Sequence, residues 1–202
     1  MNDLLSYEKL YWEKDLLVLG IDEAGRGPLA GPLVIAAVCF PKNYYNDQIN
    51  DSKKLSFKKR EMLYEVIIND ALYYDYIIVN PDEIDKLNIY QATKINMEKI
   101  AMRAEMKIIL SDAMKLDLNK TNIAIIKGDQ KSISIAAASI IAKTIRDRIM
   151  LEYDKQYPHY EFIKHKGYPT KKHLALIKKY GINNIYRKSY RPVMEIMNKE
   201  ST

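Results

Sequence analysis

The stretch that most constrains this chain is residues 17–40, where an apolar run reaches two adjacent acids, Asp22 and Glu23, passes through Gly25-Arg26-Gly27, and becomes apolar again up to Phe40. A continuous apolar run of that length, bounded by glycine and proline, reads as a buried strand over residues 16–22 with its acids at the exit. The second run, residues 32–40, reads as another strand, and the tight glycine-rich connection makes an antiparallel pair the expectation. Two neighbouring carboxylates in a partly desolvated place repel, since unit charges ~4 Å apart interact by about 4 kcal/mol at an effective dielectric near 20. A cation is therefore expected beside them.

The rest of the chain alternates helical and strand patterns. Residues 3–14 carry Leu4, Leu5, Tyr7, Leu10 and Tyr11 at roughly helical spacing. After a polar loop over residues 41–55, Ser56 looks like the N-cap of a helix over residues 57–69, with Met62, Leu63, Val66 and Ile67 as its inner stripe. Residues 74–79 form a β-rich run. Pro81 then opens a helical region in which Ile84, Leu87, Ala92, Ile95, Met97, Ile100 and Ala104 recur. Residues 107–110 and 123–126 read as short strands, each delivering an acid just past its end, Asp112 and Asp129. A helix over residues 134–153 buries Ile141, Ile145 and Ile149, while Ser139, Lys143 and Asp147 share another face at the same spacing. Beyond Pro158 the chain turns basic and aromatic. A helix over residues 172–180 ends at Gly181, and the tail carries Arg187, Lys188, Tyr190 and Arg191.

This alternation indicates an α/β layer structure around one mixed sheet. A chain of 202 residues suits one domain and can bury a substantial core. Its net charge of +6 and pI near 9.1 favour a polyanionic partner. The single cysteine, Cys39, allows no internal disulfide and no cysteine zinc site, and its apolar setting suggests a buried hydrophobe. With no signal-peptide h-region and no apolar run long enough for a membrane span, a cytoplasmic location is the expectation.

The acids Asp22, Glu23, Asp112 and Asp129 come from three separate strand ends, where open sheets gather ligand-binding groups. Oxygen-only donors select hard divalent cations such as Mg²⁺ or Mn²⁺ over zinc, and two such ions suit phosphodiester hydrolysis. Any one of these acids alone reads as a solvated strand-end residue; it is their convergence that argues for metal. Gly25, Gly27 and Ala30 match a loose dinucleotide-binding pattern, but a strand follows instead of a helix, Pro28 interrupts, and two acids guard the entrance, so that reading fails. His159, His165 and His173 form no metal-ligand pattern.

The run from Gly20 to Pro32 resembles the first motif of the ribonuclease HII family, the type 2 ribonucleases H. Four further motifs follow in the family's order: Asp51-Ser52-Lys53-Lys54-Leu55-Ser56, Lys127-Gly128-Asp129, the segment from Ala136 to Asp147, and His165-Lys166-Gly167-Tyr168-Pro169-Thr170. The resemblance spans residues 17–193. It implies a ribonuclease H-like fold with a mixed central sheet flanked by helices and a C-terminal helical extension. Residues 1–202 then make a single domain, divided into a lead-in helix (1–15), a core (16–155) and a substrate-binding extension (156–202).

The same resemblance implies four metal-binding, catalytic carboxylates, which fall on Asp22, Glu23, Asp112 and Asp129. Asp117 is the rival for the third, because Ser111 and Ala113 depart from the family's usual neighbours of that acid. The family's ribonucleotide-sensing loop falls on Gly25, Arg26 and Gly27, and its sensing tyrosine on Tyr168. Backbone contacts to a 2′-hydroxyl and a ring stacked on the next sugar distinguish one ribonucleotide within DNA. Lys53, Lys54 and Lys143 are the foremost candidates for substrate phosphates, followed by Arg146, Lys166 and the basic tail. Asp147 is expected to pair with Lys143 rather than to bind metal.

The implied activity is a divalent-metal-dependent endoribonuclease. It would cut the RNA strand of RNA/DNA hybrids and nick duplex DNA 5′ to embedded ribonucleotides, leaving a 3′-hydroxyl and a 5′-phosphate. The sister type HIII enzyme is disfavoured by Gly-Arg-Gly, by Tyr168 and by the short N-terminal lead-in. A non-catalytic nucleic-acid-binding module accounts for the basic charge but not for four converging acids. A monomer is expected, and residues 191–202 carry no recognisable clamp-binding pattern.

Overall fold

Val18–Ala24 (β1) and Leu33–Cys39 (β2) pair antiparallel, with Asp22 opposite Ala36. Tyr73–Val79 (β3) extends the sheet antiparallel beyond β2, while Ile108–Asp112 (β4) and Thr121–Ile125 (β5) add parallel strands on the other side of β1. The order is β3-β2-β1-β4-β5, a mixed sheet as expected. The computed structural model describes residues 4–50 and 52–200, without the side chains of residues 199 and 200. Residues 1–3 of the expected lead-in helix and the first residue of the second motif, Asp51, lie outside the described residues.

Helices cover both faces. Ser6–Trp12 (α1), Phe57–Asp70 (α2) and Ile133–Gln156 (α5) pack on the face that presents Val34, Ala36 and Val38. Pro81–Leu87 (α3) and Ile89–Arg103 (α4) cover Leu19, Ile21, Leu33, Ile35 and Ala37 on the other. The residues on the two faces alternate along β1 and β2, as the two-residue strand period requires. Phe162–His165 (α6), Lys171–Tyr180 (α7) and Arg191–Glu200 (α8) form the C-terminal region, whose own cluster joins Phe162, Ile177, Tyr186 and Val193 to Leu29, Ala30 and Met150.

Local chemistry explains the boundaries. The Ser56 hydroxyl accepts from the Lys59 amide and starts α2. The helical region after Pro81 is two helices because Asn88 takes a left-handed φ of 62°, and its side chain then caps α4 at Gln91 N. Helix α5 presses on β1 so closely that a Cβ on Gly20 would lie 2.2 Å from the Ser134 carbonyl carbon. Glycine is required there by contact.

Several expectations shift. The inner face of α2 is Arg60, Leu63 and Ile67; Met62 is exposed, because the helix is rotated so that Arg60 points inward. Strand β5 ends one residue early, leaving Ile126 exposed, and the tail from Arg191 is a helix. Glu8 of α1 is fully buried and accepts from Ser132 Oγ (2.6 Å) and Ser134 N (3.1 Å), so a carboxylate caps the first turn of α5. Burial pushes its carboxyl above the usual carboxylate range. Cys39 is buried, as expected. No helix among the described residues is long and apolar enough to cross a membrane.

Candidate active site

The C-terminal ends of β1 and β4 open into a cleft of about 220 Å³. Asp22, Glu23, Gly25, Arg26, Gly27, Ser52, Lys53, Asp112, Ser139, Lys143 and Tyr168 line it. Residues from four of the five motifs thus meet on one cleft, and the fifth contributes Asp129 from beside it. Asp22 is buried on β1, and its Oδ1 accepts from the Glu23 amide at 2.7 Å. Asp112 ends β4 and accepts from Gly128 N at 2.7 Å, which ties it to the turn that carries Asp129. Asp129 is buried and meets Lys53 Nζ at 3.2 Å.

Asp22, Glu23 and Asp112 are pushed toward their protonated forms. Burial, then Glu23 and Asp112, push the Asp22 carboxyl well above the usual range. Burial lifts Glu23 to about 7, opposed by Arg26, whose Nη1 lies 3.6 Å from Glu23 Oε1, and reinforced by Asp112. Asp112 is raised by burial, against the Gly128 hydrogen bond, and by Asp129. Desolvation and like charge act together here, the combination that favours a bound cation.

Among the described residues no three acidic, imidazole or thiol groups form a ready-made ligand cluster, so the acids share a neighbourhood and not a preformed cage. The donor set nevertheless fits a hard divalent ion. It is all oxygen, Asp22 and Asp129 are buried, and Glu23 Oε2 has no hydrogen-bond partner. Asp117 stands apart: it is exposed, pairs with Lys94 at 2.8 Å, and its backbone amide donates to Glu98.

The opposite wall is a loop held from behind. Gly25 has a φ of 103°, and a Cβ there would lie 2.3 Å from Arg146 Nε, so only glycine fits. The Tyr168 ring faces Gly27, 3.5 Å from where a Cβ would sit, and remains 41 % exposed to the cleft. Arg187 donates to the carbonyls of Gly25 (2.6 Å), Arg26 (3.1 Å) and Gly31 (2.9 and 3.0 Å). Arg146 donates to Pro32, Ala30 and Lys166 carbonyls, with its guanidinium 5.8 Å from the Tyr168 ring centre. Both arginines are fully buried, so neither is the phosphate contact expected of it. Backbone carbonyls took up their charge, and sequence carries no sign of which oxygen a guanidinium will find.

Lys53 and Lys143 line the cleft, whereas Lys54 is exposed and does not. Asp147 holds Lys143 at 2.8 Å and Arg60 at 2.8 Å, the ion pair foreseen for it. Arg60, unforeseen, also donates to the carbonyls of Ser52 (3.3 Å) and Leu55 (2.5 Å) and so anchors the lysine loop. A larger cavity of about 590 Å³ lies at the opposite end of the sheet, around Leu17, Leu72 and Met106. It contains none of the four acids, and its size gives it no chemistry.

A family model described as ribonuclease HII matches residues 19–193. A ribonuclease HII of Francisella tularensis subsp. mediasiatica is 51 % identical over 187 residues, covering 91 % of this chain and all of that protein. The ribonuclease H2 of Pyrococcus horikoshii superposes with a TM-score of 0.77 at 27 % identity, covering 93 % of this chain and all of the other. The ribonuclease HII of Archaeoglobus fulgidus, solved in complex with PCNA, gives 0.76 at 26 % identity, over 89 % of this chain and 96 % of the other.

Proposed function

The chain belongs to the ribonuclease HII family, and from that premise we propose that it nicks duplex DNA on the 5′ side of embedded ribonucleotides, besides hydrolysing the RNA strand of RNA/DNA hybrids. The observation that carries the finer reading is the cleft itself, with three acids on one wall and Gly27 facing Tyr168 on the other. We take residues 1–202 as one domain with the lead-in, core and extension given above, acting in the cytoplasm as a monomer.

Asp22, Glu23, Asp112 and Asp129 would hold divalent ions, Mg²⁺ or Mn²⁺. When bound, such ions polarise the phosphate, lower the pKa of a water and offset the charge on the departing 3′-oxygen. The chain's own residues do the rest. Lys53, Lys143 and Arg26 attract the phosphates of the scissile strand, and their charge falls away with salt. Lys54 is assigned the neighbouring backbone, outside the cleft. The bare backbone of Gly25 to Gly27 approaches the 2′-hydroxyl, and Tyr168 stacks on the following sugar. A deoxyribose leaves those polar groups unpaired, which is how the site rejects plain DNA.

The test incubates labelled duplex DNA carrying one ribonucleotide, an all-DNA duplex and an RNA/DNA hybrid with Mg²⁺ or Mn²⁺. Cutting of the first and third, with the first yielding a single nick 5′ to the ribonucleotide, is expected. Equal cutting of the all-DNA duplex, or an intact single-ribonucleotide duplex, would sink the proposal.

A further inference from the structure

Tyr168 sits on a turn held by two buried, stacked imidazoles, and we propose that His173 is the positioning residue that sets the Tyr168 ring against Gly27. The inference rests on the role of Tyr168 given above. His173 Nδ1 lies 2.9 Å from the Tyr168 carbonyl, and its Nε2 lies 2.9 Å from the Tyr186 hydroxyl. A carbonyl only accepts, so Nδ1 carries the proton and Nε2 accepts from Tyr186. The neighbouring ring has the opposite tautomer: Gly167 N donates to His165 Nδ1 at 3.2 Å, and His165 Nε2 donates to the Tyr160 carbonyl at 2.8 Å. The two rings stack with centroids 4.0 Å apart and planes inclined by 17°. His173 is wholly buried and His165 nearly so.

The strut ends on the sensing loop's own support. Tyr186 bridges backbone to backbone with Ala30, Leu29 N donates to the Gly167 carbonyl at 2.8 Å, and Arg187 N donates to the Leu29 carbonyl at 2.9 Å. Tyr168 and the glycine loop are thereby referred to one frame, residues 29–31. Helix α7, capped by Thr170 on His173 N, fixes the imidazole from the far side. A histidine needed only for bulk would be replaceable by any side chain of its volume. One needed to hold the Tyr168 carbonyl is replaceable only by a donor at the Nδ1 position. Asparagine places an amide N–H there, whereas glutamine places it near Nε2.

The experiment measures the ratio of cleavage rates on single-ribonucleotide duplex DNA and on RNA/DNA hybrid, for the full chain with Mg²⁺. Tyr168→Ala should lower the ratio by about tenfold. His173→Gln and His173→Leu should lower it to a similar extent, and His173→Asn should stay within about twofold of the parent. Adding His173→Leu to Tyr168→Ala should change the ratio no further, because His173 acts only through Tyr168. Equal ratios for the Asn and Gln variants, or a parental ratio for His173→Leu while Tyr168→Ala falls, overturns the proposal and leaves the reading of Tyr168 intact. An unchanged ratio for Tyr168→Ala itself overturns that reading and the proposal with it. If His173→Leu fails to fold, the Asn and Gln pair alone decides.

Discussion

The two walls of the cleft are built on opposite principles. On the acid wall, buried Asp22 stands beside partly buried Glu23 and Asp112, and each is pushed toward its protonated form. On the loop wall, buried Arg146 and Arg187 spend their donors on the carbonyls of Gly25, Arg26, Ala30, Gly31, Pro32 and Lys166. One wall is polar groups held in repulsion on rigid strands, which a cation relieves. The other is a loop whose Gly25 and Arg26 carbonyls are already bonded by Arg187 before any substrate arrives. Chemistry needs the first kind of wall, and discrimination by shape needs the second.

The comparison breaks first at its acids. Asp22→Asn keeps the shape of the site and removes a charge that the cation requires, so cleavage of every substrate should fall roughly 10²–10³-fold, with the thermal midpoint unchanged or raised. A fall in the midpoint would mean that Asp22 is structural. Arg187→Met attacks the other wall: it strips donors from the buried carbonyls of Gly25 and Gly31 and should cost about 3 kcal/mol in denaturant unfolding. A loss below about 1 kcal/mol would show the loop is held by packing alone.

A smaller effect tests the electrostatics of the acid wall. Glu23 ionises near 7 without a cation, above its unfolded value, so a proton must leave before an ion binds. Apparent Mn²⁺ affinity, followed by calorimetry, should rise about tenfold from pH 6 to pH 8, and Glu23→Gln should flatten that rise. The same shift means that Glu23 contributes stability fully present below pH 4.5 and lost as pH rises through 7, so the Gln variant gains on the parent across that window. The smallest effect belongs to Asp117→Asn, which removes an exposed pair with Lys94 and should leave cleavage within about twofold.

The acid wall was largely legible in sequence, because strand periodicity and an acid at a strand end are local signals. Asp22 and Asp129 needed only their own few neighbours to be placed, whereas Asp112 had Asp117 as a rival and was preferred for its position at a strand end. The loop wall was half legible. Gly25 to Gly27 and Tyr168 came from motif resemblance, but the arginines that hold them came from no pattern, since their partners are carbonyls far away in the chain. Arg60 escaped for the same reason, and with it the phase of α2. Glu8 carries no local signal of its role, because the first turn of α5 that it caps lies far away in the chain. Helix α8 did leave a signal, Pro192 at its start and Val193, Ile196 and Met197 at helical spacing, which the basic character of the tail concealed.

The division of labour between the walls is tested most directly by single-turnover cleavage of the single-ribonucleotide duplex and the RNA/DNA hybrid by Asp112→Asn and Tyr168→Ala. Asp112→Asn should slow both substrates by the same factor, leaving their ratio at the parental value, while Tyr168→Ala should lower the ratio. A parental rate for Asp112→Asn, or a ratio that moves with the acid and not with the tyrosine, would contradict the account.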